Sequence, residues 1–70
     1  MSKVDWIPYQ ARLYIKMAAD QGDSENQMTY ARMLYKGEGG PQDREQAREY
    51  YKKAADQGNS EAQIAYNVLS

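Results

Sequence analysis

The sequence predicts an all-α protein, an α-α superhelix of four antiparallel helices, chiefly because it contains an internal repeat. Residues 16–27 read KMAADQGDSENQ, and residues 52–63, which lie 36 positions later, read KKAADQGNSEAQ, with 9 of the 12 positions identical. A fixed period of this length is typical of stacked helical units. The glycines lie between runs of good helix formers, as expected for short interhelical loops.

The first and third predicted helices carry the clearest apolar stripes. They cover Gln10–Asp20, with a start near Pro8, and Gln46–Asp56. We expect Trp6 and Ile7 to form an apolar staple before the first helix. Spacing of i, i+3 and i+4 predicts one buried face on each helix. Its members are Ala11, Tyr14, Ile15, Ala18 and Ala19 in the first helix and Ala47, Tyr50, Tyr51, Ala54 and Ala55 in the third.

The second and fourth helices are predicted over Ser24–Lys36 and Ser60–Ser70, each directly after an A-D-Q-G segment. The glycine of that segment suits the left-handed residue that follows a helix end. Asp23 and Asn59 are the candidate N-caps, with the serines one residue later as alternatives. The repeated segment is therefore interpreted as a hinge that ends one helix and starts the next.

The loop KGEGGPQD, residues 36–43, separates the second and third helices. We expect positive φ angles at Gly37 and Gly39. Asp43 is the predicted N-cap of the third helix, and Gln46 completes a capping-box-like pair. No strand precedes the glycines and no Lys-Ser/Thr pair follows them, so the pattern favours an interhelical loop over a phosphate-binding one.

A longer pattern runs through this loop and the third helix. It combines a G-x-G loop, an acidic residue with an alanine four positions later, paired aromatics, a basic residue and A-A-x-Q-G. Its members are Gly37, Gly39, Asp43, Ala47, Tyr50, Tyr51, Lys53, Ala54, Ala55, Gln57 and Gly58. The pattern resembles that of the Sel1-like repeat, a relative of the tetratricopeptide repeat. Gly40 stands where that family usually has an aliphatic residue, which predicts a looser loop.

The resemblance implies a right-handed stack of antiparallel helix pairs that forms one domain over residues 1–70. The repeat boundaries that follow are a half repeat over 8–22, a full repeat over 23–58 and a half repeat over 59–70. The chain would then be a solenoid fragment of about two repeats. Such arrays usually need about three repeats to bury a continuous core.

Composition narrows the classes of function. Nine basic and ten acidic residues give a net charge of −1, which provides no electrostatic footprint for nucleic acid. The sequence contains no apolar run that resembles a signal peptide or a membrane span, and the absence of cysteine fits a reducing compartment. We therefore expect no nucleic-acid or membrane partner and a cytoplasmic location.

The sequence also offers little to catalysis. Histidine and cysteine are absent, which removes the commonest general base, metal ligand and strong nucleophile. The carboxylates of DQGDSE lack the bidentate glutamate that ends an EF-hand loop, and helix capping explains them better. We expect no enzymatic activity, no cofactor and no metal site.

A candidate binding surface follows from helical geometry. If Tyr30, Ala31 and Leu34 face the core, the opposite stripe of the same helix is fixed. That stripe consists of Glu25, Met28, Arg32, Tyr35 and Lys36, and Glu61, Ile64 and Val68 continue it one repeat later. The resemblance implies that such positions line the concave groove of a protein–protein interaction scaffold that binds a peptide or protein ligand. Arg32 and Lys36, which lie beside apolar residues of the stripe, predict a peptide of acidic character. A solvated or intersubunit face is the alternative.

A structural, self-assembling unit is the competing function. The last predicted helix carries Ile64, Ala65, Val68 and Leu69 and little charge, although the end helices of such arrays require polar outer faces. The chain is therefore a piece of a longer array, an engineered small protein, or a protein that associates with itself. For the last case we expect a homodimer through this helix or the Trp6–Ile7 end.

Overall fold

Four α-helices follow one another along the chain in a computed structural model that describes residues 7–69, with the side chain of Ile7 excepted. The helices are α1 (Ile7–Asp20), α2 (Ser24–Lys36), α3 (Arg44–Asp56) and α4 (Ser60–Leu69). Each helix packs on the one before it, and the whole measures 40 × 22 × 15 Å. The predicted all-α superhelix is confirmed. Trp6 lies outside the described residues, so the staple remains a prediction.

Local capping explains why α2 and α4 begin where they do. The Asp23 carboxylate accepts hydrogen bonds from the backbone N–H groups of Glu25 at 3.0 Å and Asn26 at 3.3 Å. The Asn59 side chain accepts one from the N–H of Ala62 at 3.0 Å. Asp23 and Asn59, rather than the following serines, are therefore the N-caps, and each satisfies donors that a helix leaves free.

The start of α3 departs from the predicted capping box. Asp43 accepts the N–H of Gln46 at 2.9 Å, as predicted. The reciprocal half is wrong, because the N–H of Asp43 donates to the Leu34 carbonyl at 2.8 Å. The Gln46 side chain instead accepts the Tyr30 hydroxyl at 3.2 Å. The two groups that would close the box therefore join α3 to α2.

The glycine loop lies against the start of α1. Gly37 and Gly39 have φ angles of 77° and 71°, so both predictions of positive φ are confirmed. A Cβ atom at Gly39 would lie 2.3 Å from the carbonyl oxygen of Pro8, a distance that no side chain tolerates. Glycine is required here both for its backbone angle and for the close approach.

Arg12 of α1 holds the same loop. Its guanidinium donates to the Pro41 carbonyl at 2.9 Å and to the Glu38 carbonyl at 3.2 Å. It also fills the space beside Gly40, where a Cβ atom would lie 2.8 Å from Nη1. The loosening expected from Gly40 is thus opposed by an arginine that takes the place of the missing side chain.

Small residues and tyrosines together build the core. Four alanines, at positions 31, 47, 54 and 62, have no exposed surface, and Leu34 is the large side chain that is fully buried. The Tyr30 and Tyr50 rings meet edge to face, with centroids 4.7 Å apart and planes at 87°. Such a pair contributes about 0.5–1.5 kcal/mol beyond its buried area. Alanines let the helices approach, and the tyrosines fill the remaining space.

One predicted core residue is not buried. Tyr14 is 70 % exposed, whereas Tyr50, its equivalent 36 residues later, is 7 % exposed. Tyr50 lies against Tyr30, and its hydroxyl donates to Asp20 at 2.5 Å. Among the described residues no helix lies on the corresponding face of α1, so the prediction for Tyr14 is wrong. The other members of both stripes are buried or half-buried.

Candidate functional site

Two adjoining cavities form a groove between α2 and α4, and Tyr51 of α3 lies between them. The first has a volume of about 210 Å³ and is lined by Met28, Thr29, Arg32, Tyr51, Glu61 and Ala65. The second has a volume of about 170 Å³ and is lined by Tyr35, Tyr51, Ala65, Val68 and Leu69. Because Tyr51 and Ala65 belong to both, we treat the two as one site, the interhelix groove.

The sequence predicts eight residues for such a site, and five of them line the interhelix groove. These are Met28, Arg32, Tyr35, Glu61 and Val68. The other three, Glu25, Lys36 and Ile64, are exposed on the same two helices but do not line either cavity. The stripe thus defines the two walls, and a role in binding remains a prediction for all eight.

Four lining residues lie outside the predicted stripe: Thr29, Tyr51, Ala65 and Leu69. The apolar stripe of α3 predicts that Tyr51 is buried, and this prediction is confirmed. A helical residue lies about 100° around the axis from its neighbour, so Tyr51 is turned from the α2-facing Tyr50 toward the groove. The paired tyrosines were the available signal, but it could be used only once α3 was known to lie between α2 and α4.

The first cavity is the charged half of the groove. Arg32 from α2 and Glu61 from α4 both line it. Arg32 is also 3.9 Å from Glu38, but both side chains are about half exposed. Exposed pairs of this kind contribute about 0–1 kcal/mol. The Arg32 guanidinium can therefore exchange this partner for another carboxylate at little cost.

The second cavity is the apolar half. Its walls are the Tyr35 ring and the aliphatic side chains of α4, and no charged residue lines it. Arg44 stacks over the Tyr35 ring at 5.3 Å from its centroid, which steadies that wall. Burial raises the pKa of Tyr51, and the positive charge of Arg32 partly opposes this shift. Tyr51 is consequently a neutral phenol at physiological pH.

The arrangement suits recognition of a carboxylate beside an apolar side chain. A carboxylate can pair with Arg32 while a neighbouring apolar side chain enters the second cavity. Within residues 7–69, no cluster of three histidine, cysteine, aspartate or glutamate side chains could hold a metal ion. None of the helices described in that range has the length and apolarity needed to cross a bilayer.

Comparison with known families agrees with the repeat seen in the sequence. The model of the Sel1 repeat matches residues 3–23 and 27–59, which is more than half of the chain. The chain belongs to the Sel1 repeat family. Sel1 repeats generally mediate protein–protein interactions and form non-catalytic scaffolds. Neither the curated proteins nor the solved structures that were compared with the chain include a significant match.

The Sel1 repeat also accounts for the position of the groove. Residues of α2 and α4 that line it are related by the 36-residue period, as Thr29 is to Ala65 and Arg32 is to Val68. Equivalent helices of successive units therefore supply the two walls, and α3, which follows α2 in the chain, supplies the tyrosine between them. Variation at equivalent positions makes one wall cationic and the other aliphatic.

Proposed function

We propose that this Sel1 repeat protein is a non-enzymatic scaffold that binds an extended or helical peptide of acidic character in the interhelix groove. The observation that best supports the proposal is the combination, in one groove, of a half-exposed arginine and an apolar cavity. The cytoplasmic location and the repeat boundaries expected from the sequence remain predictions.

The two halves of the groove would contribute differently. A carboxylate on Arg32 adds a charge-assisted hydrogen bond of about 1.5–3 kcal/mol. An aliphatic or aromatic side chain buried in the second cavity adds a similar amount, about 1.5–3 kcal/mol. Glu61 on the opposite wall of the first cavity repels a second carboxylate. We therefore expect one acidic residue beside an apolar one rather than a polyacidic segment.

The experiment is a binding titration with peptides selected from a displayed library against the 70-residue chain. Calorimetry compares the parent with Arg32→Ala and Tyr35→Ala, one change in each half of the groove. Both should weaken binding at least several-fold while helical circular dichroism is unchanged. Arg48→Ala is the matched control, because Arg48 is exposed on α3 and does not line the groove. If both groove variants bind the peptide with the affinity of the parent, the peptide binds elsewhere.

A double-mutant cycle isolates the predicted ion pair. The acidic residue of the selected peptide is changed to its amide, and the loss of affinity is measured against the parent and against Arg32→Ala. A peptide carboxylate that contacts Arg32 should show a coupling free energy of at least about 0.5 kcal/mol. A coupling free energy near zero would show that the peptide carboxylate does not contact Arg32. The apolar cavity would then be the remaining contribution to binding.

Self-association is the second candidate function, and exposed apolar side chains on the first and last helices favour it. Tyr14 of α1 is 70 % exposed and Val68 of α4 is 76 % exposed. In this alternative the chain is a structural unit that forms a homo-oligomer through these helices. At about 100 μM, a dimer with an association free energy of roughly −6 kcal/mol would already be populated. Sedimentation at that concentration therefore tests the candidate. A purely monomeric mass at that concentration would contradict the candidate.

A further inference from the structure

The way in which α3 docks on the α1–α2 hairpin is defined by a small set of contacts. The Tyr30 ring meets the Tyr50 ring, and the Tyr30 hydroxyl donates to Gln46 at 3.2 Å. The Tyr50 hydroxyl donates to Asp20. At the other end of α3, the Gln57 amide donates to the Gly22 carbonyl and to the Gln27 side chain, both at 2.9 Å. We call this set the hairpin joint.

Every residue of the hairpin joint recurs 36 positions away with its type unchanged. The hairpin side, which is Asp20, Gly22, Gln27 and Tyr30, recurs as Asp56, Gly58, Gln63 and Tyr66 on the α3–α4 hairpin. The α3 side, which is Gln46, Tyr50 and Gln57, recurs as Gln10, Tyr14 and Gln21 on α1. The chain therefore carries a second copy of each half of the joint.

Six of the seven residues in these second copies are exposed, and the seventh, Tyr66, is half-buried against the core. On α1, an open cavity of about 340 Å³ is lined by Gln10, Leu13, Tyr14 and Met17. On the hairpin, Asp56, Gly58 and Gln63 are all exposed. One surface is at the first helix and the other at the last, so they cannot meet within one copy of this elongated molecule.

We propose that α1 of one copy docks on the α3–α4 hairpin of a second copy, in the way that α3 docks on the α1–α2 hairpin. Tyr14 then meets the ring of the partner's Tyr66 and donates to the partner's Asp56, and Gln21 donates to the carbonyl of the partner's Gly58. Because the two surfaces differ, the contact is heterologous and copies add head to tail, so assembly does not stop at a dimer.

This inference deepens the second candidate function and is independent of peptide binding. It specifies a head-to-tail stack in place of a symmetric dimer. The walls of the interhelix groove are equivalent residues of successive units, so stacking would also continue the groove from one copy to the next.

One residue opposes the stack and supplies a sensitive test. Asn67 stands at the position equivalent to Ala31, which is fully buried against α3. The Asn67 side-chain oxygen accepts a hydrogen bond from Gln63 at 3.1 Å. In a stack Asn67 would be buried, and its amide would lose its contact with water. Asn67→Ala removes that penalty and should tighten assembly by roughly tenfold or more.

Two blocking variants test the direction of the contact. We call the α1 surface the head and the α3–α4 hairpin surface the tail. Tyr14→Glu places a carboxylate against the partner's Asp56 and blocks the head. Asn67→Arg places a long cation where the joint accommodates alanine and blocks the tail. Both residues are exposed, so neither change disturbs the folded monomer, which circular dichroism checks. Tyr9→Glu is the matched control, because Tyr9 is 55 % exposed and corresponds to Glu45, which lies outside the joint.

Analytical ultracentrifugation from about 10 to 500 μM, a range that reports dissociation constants in the micromolar regime, gives the readout. We expect the parent to exceed dimer mass as concentration rises, each blocking variant alone to be monomeric, and Tyr9→Glu to behave as the parent. An equimolar mixture of the blocking variants should form a dimer and nothing larger, because it contains one free head and one free tail.

Three results would overturn the inference. If Asn67→Arg alone still dimerises while Tyr14→Glu does not, the contact is a symmetric one through α1, and the second candidate function survives in that form. If Tyr9→Glu weakens assembly as much as Tyr14→Glu, the copies associate through non-specific apolar contacts and the joint is not formed. If both the parent and Asn67→Ala stay monomeric, the inference and the second candidate function fail together, and peptide binding is unaffected.

Discussion

At Gly39 the loop after α2 approaches the start of α1 too closely for any side chain. Gly39→Ala would add a Cβ atom 2.3 Å from the Pro8 carbonyl at a φ of 71°. We expect the free energy of unfolding to fall by about 2 kcal/mol or more, since backbone strain of this type costs about 1–3 kcal/mol even without a clash. Urea denaturation measures the loss.

Gly58→Ala is the matched control for that change. Gly58 has a φ of 97°, but a Cβ atom there meets nothing within 4 Å. It should therefore report the cost of the backbone angle alone, about 1 kcal/mol. If both substitutions lowered the free energy of unfolding equally, the close approach of Gly39 to Pro8 would contribute nothing to the cost.

The Tyr50–Asp20 hydrogen bond predicts an acid-sensitive contribution to stability. The Tyr50 hydroxyl and then Lys16 hold the pKa of Asp20 below its usual value. A carboxyl whose folded pKa is depressed stabilises the fold above its unfolded pKa of about 3.9 and loses that contribution as pH falls through the folded pKa. Tyr50→Phe should therefore flatten the stability–pH profile below about pH 4.

Urea denaturation at a series of pH values measures this effect. In the monomer, Tyr14→Phe serves as the control, because it removes the same hydroxyl from the exposed equivalent position. Identical slopes below pH 4 for the parent and Tyr50→Phe would contradict the assignment of the shift to this hydrogen bond.

Residue-level features were predictable from the sequence where they depend on nearby backbone. Asp23, Asp43 and the loop glycines act within a few positions, so capping rules and φ preferences identified them. Arg12 was not predictable, because it bonds carbonyls 26 and 29 positions away. Its role depends on which loop the fold brings beside α1.

At the scale of the helix, Gln27 joins three elements. It is buried, donates to the Ala19 carbonyl of α1 at 3.1 Å and accepts from Gln57 after α3 at 2.9 Å. Gln27→Ala leaves both groups without this partner and should lower stability by about 1–3 kcal/mol. Thermal or urea unfolding, followed by circular dichroism, measures the change.

The repeat supplies the control for Gln27. Gln63 is the same residue one unit later, is exposed, and bonds Asn67 on its own helix. Gln63→Ala in the monomer should stay within about 0.5 kcal/mol of the parent. If the two substitutions cost the same, the buried position of Gln27 contributes nothing and the description of the joint is wrong.

Helix boundaries and most buried faces were predicted closely, but the burial of Tyr14 on α1 was predicted wrongly. The caps and glycines define the ends of α2 and α3 locally, and the structure agrees with them. Tyr14 and Tyr50 have the same spacing from the same alanines, yet one is exposed and the other buried. Periodicity indicates that a helix face can be buried. The face is buried only where another helix packs against it.

For the whole molecule, the sequence predicted the walls of the candidate site and missed the residue between them. The stripe on α2 and its repeat on α4 follow from helical geometry and a 36-residue period, which are sequence properties. Tyr51 lies between the walls because α3 packs against both helices. That arrangement is tertiary, and no local pattern in α3 distinguishes a groove residue from a core residue.

The central claim, that the interhelix groove holds the ligand, is tested most directly by mapping a bound peptide onto the backbone amides by nuclear magnetic resonance. A titration of the isotope-labelled chain with the tightest selected peptide should shift the amides of Arg32, Tyr51 and Ala65, which belong to three different helices and meet at the groove. The amides of Tyr14 and Met17 on α1 should stay in place. Shifts confined to that α1 surface, with the groove amides unchanged, would contradict the claim.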